Sequence, residues 1–236
     1  MRSKVHLILC LLSTAHFTSC GQTGTSRTPP QVEAEYMKVK EEVFNEPAQD
    51  VDFAPYIYND TTYVLDGTVS VRIQNSYPKG GAPMDRDGVQ GYTDNEGRMY
   101  GYVLFWTRVM NTSVKAIKLE ISFPPIPLHL FHQPSSFARL LLPTAAVDLN
   151  RVDDYNYGIT GMRSFLNEHW DTKSGLEISL APGEEHTFFV TALSYKAGGR
   201  VRSKLLLEDP GILNYWIEIS PHGGGTINCG RISVVD

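Results

Sequence analysis

Cysteine is almost missing from this 236-residue chain: Cys10, Cys20 and Cys229 are the three it has. So few cannot build the multi-bridge framework of a small secreted scaffold, and the fold has to come from an apolar core. Long apolar runs are missing too. After residue 19 no stretch approaches the ~18 consecutive apolar residues that a membrane-crossing helix needs. Positive charge is short: 21 Lys and Arg stand against 26 Asp and Glu, and no basic run occurs. A phosphate backbone would find no attraction in that balance, so nucleic acid is not an expected partner. Catalytic signatures are lacking as well. There is no Gly-x-Ser-x-Gly elbow, no glycine loop ending in Lys-Ser/Thr, and no His-Glu-x-x-His.

What is present begins at the amino terminus. Arg2 and Lys4 precede the apolar stretch 5–12, and small or polar residues follow up to Cys20. That is the layout of a secretory signal. The run Phe17-Thr18-Ser19-Cys20 before Gly21 resembles the lipobox of bacterial lipoproteins, although Phe17 stands where an aliphatic residue is usual. The resemblance implies that Cys20 is acylated and becomes the first residue of the mature chain. The alternative is an ordinary cut after Ser13-Thr14-Ala15, which leaves Cys20 free to pair with Cys229. Lipidation would make Cys229 a lone thiol in an oxidising compartment, which demands that it be buried. Loss of residues 1–19 removes Arg2 and Lys4 and no acid, so the formal charge moves from −5 to −7. The polar run 21–30, "GQTGTSRTPP", reads as a tether, and Val32, Tyr36, Val39, Val43 and Phe44 follow at roughly helical spacing. The expected organisation is a signal peptide over 1–19, a lipidated and partly helical tether over 20–50, and one domain over 51–236.

From about residue 60 the apolar period becomes two. Ile117, Leu119, Ile121 and Phe123 alternate with Lys118, Glu120 and Ser122, as a half-buried antiparallel strand requires. Further strands are expected at 68–74, 100–110, 137–142, 176–180, 186–193, 201–207, 212–219 and 227–235, with Asn111-Thr112-Ser113, Pro182-Gly183, Gly198-Gly199 and Asp209-Pro210-Gly211 as turns. Residues 161–170 break the rhythm: Met162, Phe165, Leu166 and Trp170 sit at helical offsets. Many strands, short polar turns and no alternating helices predict an all-β antiparallel β-sandwich with one short helical insertion. "VMNTSVKAIKLEISFP" and "ISLAPGEEHTFFVTAL" resemble the paired strands of immunoglobulin-like and fibronectin-like bacterial modules, with Pro182-Gly183 making the tight corner. The resemblance covers about residues 100–195 and implies an immunoglobulin-like sandwich, a fold that does not itself specify an activity. Taken whole, the chain resembles the sandwich lipoproteins abundant in the Bacteroidota, which implies an outer-membrane location and glycan capture, adhesion or assembly as work.

Four clusters are candidates for chemistry. Asp85, Asp87, Asp94 and Glu96 lie among glycines in 83–101, and a hard cation such as calcium takes several such oxygens. Their spacing is not that of an EF-hand, and the plainer reading is two solvated turns at the mouth of a hairpin. His129 and His132 lie among prolines that exclude a helix, and a strand would put them on opposite faces. Among many aromatics, Tyr155 and Tyr157 in the polar connection "RVDDYNYG" are expected to be accessible, and flat rings with polar tips suit stacking on sugar faces. "PHGGGTINCG", residues 221–230, is expected to be a mobile hairpin loop.

The expected function is non-enzymatic: a lipoprotein held in the membrane by a lipid on Cys20, with no cofactor, whose domain binds a glycan or an envelope protein. The alternative is a structural or assembly subunit of a cell-envelope complex, pairing through a strand edge. A hydrolase would need two acids at glycosidase separation, drawn from 85–96 and Asp153 or Asp154.

Overall fold

The computed structural model describes residues 54–65, 67, 69–80, 91–145, 148–208 and 210–235. The segments expected to be a signal peptide and a partly helical tether, Cys20, and Asp85 and Asp87 lie outside the described residues. The all-β antiparallel sandwich with one helical insertion is the fold observed.

One sheet, sheet A, is built from β1 (Ile57–Leu65), β2 (Val69–Ser76), β4 (Met99–Asn111), β8 (Glu185–Tyr195) and β6 (Phe137–Leu141), paired in that order. The two-residue β3 (Tyr92–Thr93) pairs with β4. The other, sheet B, runs β7 (Ser174–Leu180), β5 (Ile117–Phe123), β11 (Gly223–Val234), β10 (Ile212–Ser220) and β9 (Arg200–Glu208). Every ladder is antiparallel.

The inner core follows from the period of two. Val71 and Ile73, Phe105 and Val109, and Val190 face Ile117, Leu119, Leu205, Leu213 and Ile217 across the sandwich. Two buried asparagines stitch the sheets together. Asn75 on β2 accepts from the Leu205 amide (2.8 Å) on β9. Asn111, which ends β4, donates to the carbonyls of Lys115 (2.8 Å) and Leu180 (3.0 Å) while its Oδ1 accepts from the amide and hydroxyl of Ser113. The Val-x-Asn ending of that strand is therefore a corner piece, and Gly183 of the Pro182-Gly183 turn closes it by donating to the Asn111 carbonyl (2.9 Å).

The outer faces of the two sheets differ. Sheet A carries a second, aromatic core in which Tyr92, Tyr100, Tyr102, Trp106 and Phe189 pack under Val152, Tyr157, Met162, Leu166 and Trp170. The long connection between β6 and β7, with the helix α1 (Met162–His169), is thus a third layer. Arg139 on β6 fastens its end, donating to the Trp170 carbonyl (2.8 Å) with its guanidinium 4.1 Å over the Trp170 ring. On sheet B the outward residues, such as Glu177, Asn214, Trp216, Thr226 and Asn228, stay half-buried or exposed.

The expectation for 221–230 is corrected. Only Pro221 and His222 form the turn; Gly223, Gly224 and Gly225 are rungs of β11, opposite Ile219, Glu218 and Ile217. Their small size has a steric cause: a Cβ on Gly224 would run into the Ile217 carbonyl, and one on Gly223 would lie 2.6 Å from His132 Nε2.

Candidate functional site

The segment 148–161 is short of apolar residues, so its place on sheet A depends on polar fastenings. Asp148 caps the turn Leu149–Arg151 by accepting from the Asn150 amide (3.0 Å). Lys79 lies between the rings of Tyr56 and Tyr157, 5.0 and 4.9 Å from their centroids, and donates to the carbonyls of Val152 and Asp154. Burial lowers the pKa of its ammonium, the Asp154 charge opposing that shift. The Tyr56 hydroxyl donates to Asp153, and the Tyr157 hydroxyl to the Tyr77 carbonyl (2.5 Å).

Tyr157 is consequently 2% exposed, and the expectation that it is accessible is corrected. Its ring stacks near Phe189 and its hydroxyl is pushed up to about 12 by burial. Tyr155 comes out as expected, 52% exposed. Two residues apart in a strand would share a face, but this segment turns: Tyr155–Gly158 is a 3-10 turn in which Asn156 and Tyr157 both take left-handed backbone, φ 52° and 54°. That reversal separates the two rings.

Beside Tyr155 lies a recess of about 320 Å³ lined by Arg151, Asn156, Thr160, Met162 and the backbone of Gly158 and Gly161. Asn156 is 3% exposed, and among the described residues its buried Oδ1 has no hydrogen-bond donor. Arg151 donates from Nε to Asp154 (2.8 Å) and lies against Gly158, where a Cβ would sit 2.5 Å from that nitrogen. With φ at 73° as well, position 158 has room only for glycine.

The metal candidates separate. Asp94 is buried, and both its oxygens are taken: Oδ1 accepts from the amides of Glu96 and Arg98, Oδ2 from Arg98 Nε (2.7 Å) and the Tyr100 hydroxyl (2.9 Å). Burial would raise its pKa, but these hydrogen bonds outweigh it and hold the carboxyl below its usual value. Glu96 pairs outward with Arg98 (2.9 Å). The pair therefore shapes the β3–β4 turn. His132 donates its amide to the His222 carbonyl (3.0 Å), while His129 packs on Phe137. Among the described residues no three His, Cys, Asp or Glu side chains gather as a metal would need. Cys229 is a free thiol, 2% exposed, pushed up to about 12 by burial and so no nucleophile at neutral pH.

The chain matches no protein-family model and no curated protein. The candidate sites rest on their own chemistry.

Two other concavities compare with the recess. Between the sheets, at the end where β8 turns into β9, a groove of about 570 Å³ is walled by Gly101, Ala192, Val201, Ile217 and Ile219, with Lys196 in its lining. Its surface is mostly hydrocarbon and offers a sugar few partners. On the outer face of sheet B a shallow hollow of about 680 Å³ is lined by Glu120, Ser122, Glu177, Asn228 and Arg231. Glu120 there accepts from Lys118 (2.8 Å) and Arg231 (2.7 Å), which lowers its carboxyl to about 2. Along the same face the Asn214–Asn228 pair leads to Trp216, paired with Thr226 and covered in part by Lys204, 5.2 Å from its ring. Trp216 was missed as a surface ring by sequence reasoning, yet its signal was there. Leu213, Tyr215, Ile217 and Ile219 claim the inner face of β10, so Trp216 has to point out.

Proposed function

We propose that this protein is a non-enzymatic outer-membrane lipoprotein, anchored through Cys20, whose sandwich binds a glycan. The observation that carries the reading is Tyr155, an exposed ring on a firmly fastened segment beside a polar recess. A preset ring costs little entropy when a sugar stacks on it, and a lipid anchor makes weak contacts useful by confining the domain to one surface. The half-buried Trp216 among Asn214, Thr226 and Asn228 offers a second surface of the same chemistry.

The thermal midpoint of the full chain in detergent, measured against a glycan panel, tests the binding. A ligand at a hundred times its dissociation constant adds about 2.7 kcal/mol, several degrees for a domain of this size. A midpoint that no glycan moves ends the glycan reading. Cys20→Ser tests the anchor separately: the protein should leave the membrane fraction, and retention there counts against lipidation.

The assembly alternative draws support from β1, a nine-residue strand that among the described residues pairs only with β2 and carries Val64, 63% exposed. Cross-linking in membranes that returns only monomer would remove it.

A further inference from the structure

We infer that two copies of this chain join through β1, each β1 pairing antiparallel with the other about a two-fold axis at Thr62, so that the two sheets A become one. The inference stands apart from the glycan reading and gives the assembly alternative a partner and a register.

The four sheet edges are not equivalent. β1 and β6 end sheet A, and β7 and β9 end sheet B. An open edge invites another strand, and antiparallel pairing of two copies sets the midpoint of the edge against itself, so a charge at that midpoint opposes self-pairing. Three edges carry one: Arg139 is the midpoint of β6, Glu177 of β7 and Lys204 of β9. β6 is partly covered as well, since Leu128 bridges to Ala138. β1 differs. Its ladder with β2 is regular from Asn59 to Leu65, the register shift lying between Ile57 and Asn59, and the midpoint of that regular stretch is Thr62, exposed and uncharged.

The register about Thr62 is compatible rung by rung. Directly opposed residues lie on one face, so Thr62 meets Thr62, Asp60 meets Val64, Thr61 meets Tyr63 and Asn59 meets Leu65. Opposed threonines, and a β-branched residue opposite an aromatic ring, are favourable cross-strand pairs. Asp60 is the one charge of the stretch, and Arg72 and Gln74 of β2 already donate to it. No like charges meet. Sheet B leaves room, because β9 meets sheet A at β2, where the Leu205 amide donates to Asn75. Two joined β1 edges therefore keep the β9 edges about three strand spacings, ~14 Å, apart.

Two experiments on the full chain in detergent test the inference. In the joined sheet the two Thr62 Cα atoms are ~4.5–5.5 Å apart, within disulfide range, whereas the two Val64 Cα atoms are four residues out of register, ~13 Å. On oxidation Thr62→Cys should give a dimer linked 62 to 62, and Val64→Cys should not exceed the background that the native chain gives from its own cysteines. Both positions are exposed, Val64 at 63%, so chance collision would link both. Sedimentation supplies the second measurement. Thr62→Glu and Thr62→Lys each set a charge against itself and should raise the dimer dissociation constant at least threefold, while an equimolar mixture, in which opposite charges meet, should return to the native value or below it. Thermal midpoints of the dilute variants check that the monomer stays folded, and Arg72 lies directly across from position 62 on β2 to receive the glutamate.

The inference is overturned if Thr62→Cys links no better than the native chain, if Val64→Cys links as readily, or if the mixture associates no better than its components. A cross-link from position 62 to another protein in place of a second copy would also overturn it, and would keep β1 as the edge of a mixed complex. No sugar enters either measurement, so failure here leaves the glycan reading as it was.

Discussion

Tyr155 and Tyr157 are two residues apart, and their roles differ because of a backbone reversal between them. Tyr157 is part of the aromatic core of the third layer, with a hydroxyl committed to Tyr77, while Tyr155 is 52% exposed. Tyr157→Ala should cost about 3–5 kcal/mol, the usual penalty for emptying a large aromatic site. Tyr155→Ala should stay within about 0.5 kcal/mol, as surface changes generally do. Chemical denaturation of the two variants against the native chain checks the contrast. Sequence alone could nominate both rings from their polar surroundings. It could not separate them, because the left-handed turn that does so is held by Lys79 and Tyr77, some eighty positions earlier.

At the scale of elements, the carboxylates belong to turns and strand pairings. Asp94 organises the β3–β4 turn, and Asp60 on β1 accepts from Arg72 (2.5 and 2.8 Å) and Gln74 (2.9 Å) on β2, hydrogen bonds that lower its pKa. Glu120 joins β5 to β11 through Arg231. All three have folded pKa values below the unfolded values near 4. What they contribute is complete above the unfolded values and is lost as pH falls through the folded ones, so stability should decline from about pH 4 towards pH 2. Asp94→Asn should cost about 1–3 kcal/mol at pH 7 and less as pH falls below 4, a narrowing that denaturation across that range would reveal. Sequence marked this loop, 83–101, as acidic and turn-forming, and one turn lies in it, closed by the Gly97 amide donating to the Asp94 carbonyl. That Arg98 and Tyr100 would occupy both oxygens of Asp94 follows from the way β4 folds back, a relation that loop composition does not carry.

The whole molecule has two cores that share one strand. β4 gives Phe105 and Val109 to the inner core and Tyr100, Tyr102, Leu104 and Trp106 to the outer one, so neither layer can melt without disturbing the other. One cooperative transition is expected. Reaction of Cys229 with a thiol reagent, a probe of sheet B, should follow the same curve as the near-ultraviolet signal of the aromatic third layer. Labelling that precedes the loss of that signal would mean independent units. Alternation along Ile117–Phe123 and Ile212–Ser220, the Pro182-Gly183 corner and the helical offsets of 161–170 were enough to determine an all-β sandwich with one helix, because side-chain period is a local property of backbone geometry. The sheet edge at β1 and the glycine rungs of β11 were decided by tertiary structure, since both depend on what lies across the ladder. So were the burial of Tyr157 and Cys229 and the lack, among the described residues, of a donor for the Asn156 side-chain oxygen. Exposure and hydrogen-bond partnership are set by residues far away in the chain, and only packing brings those residues to the site.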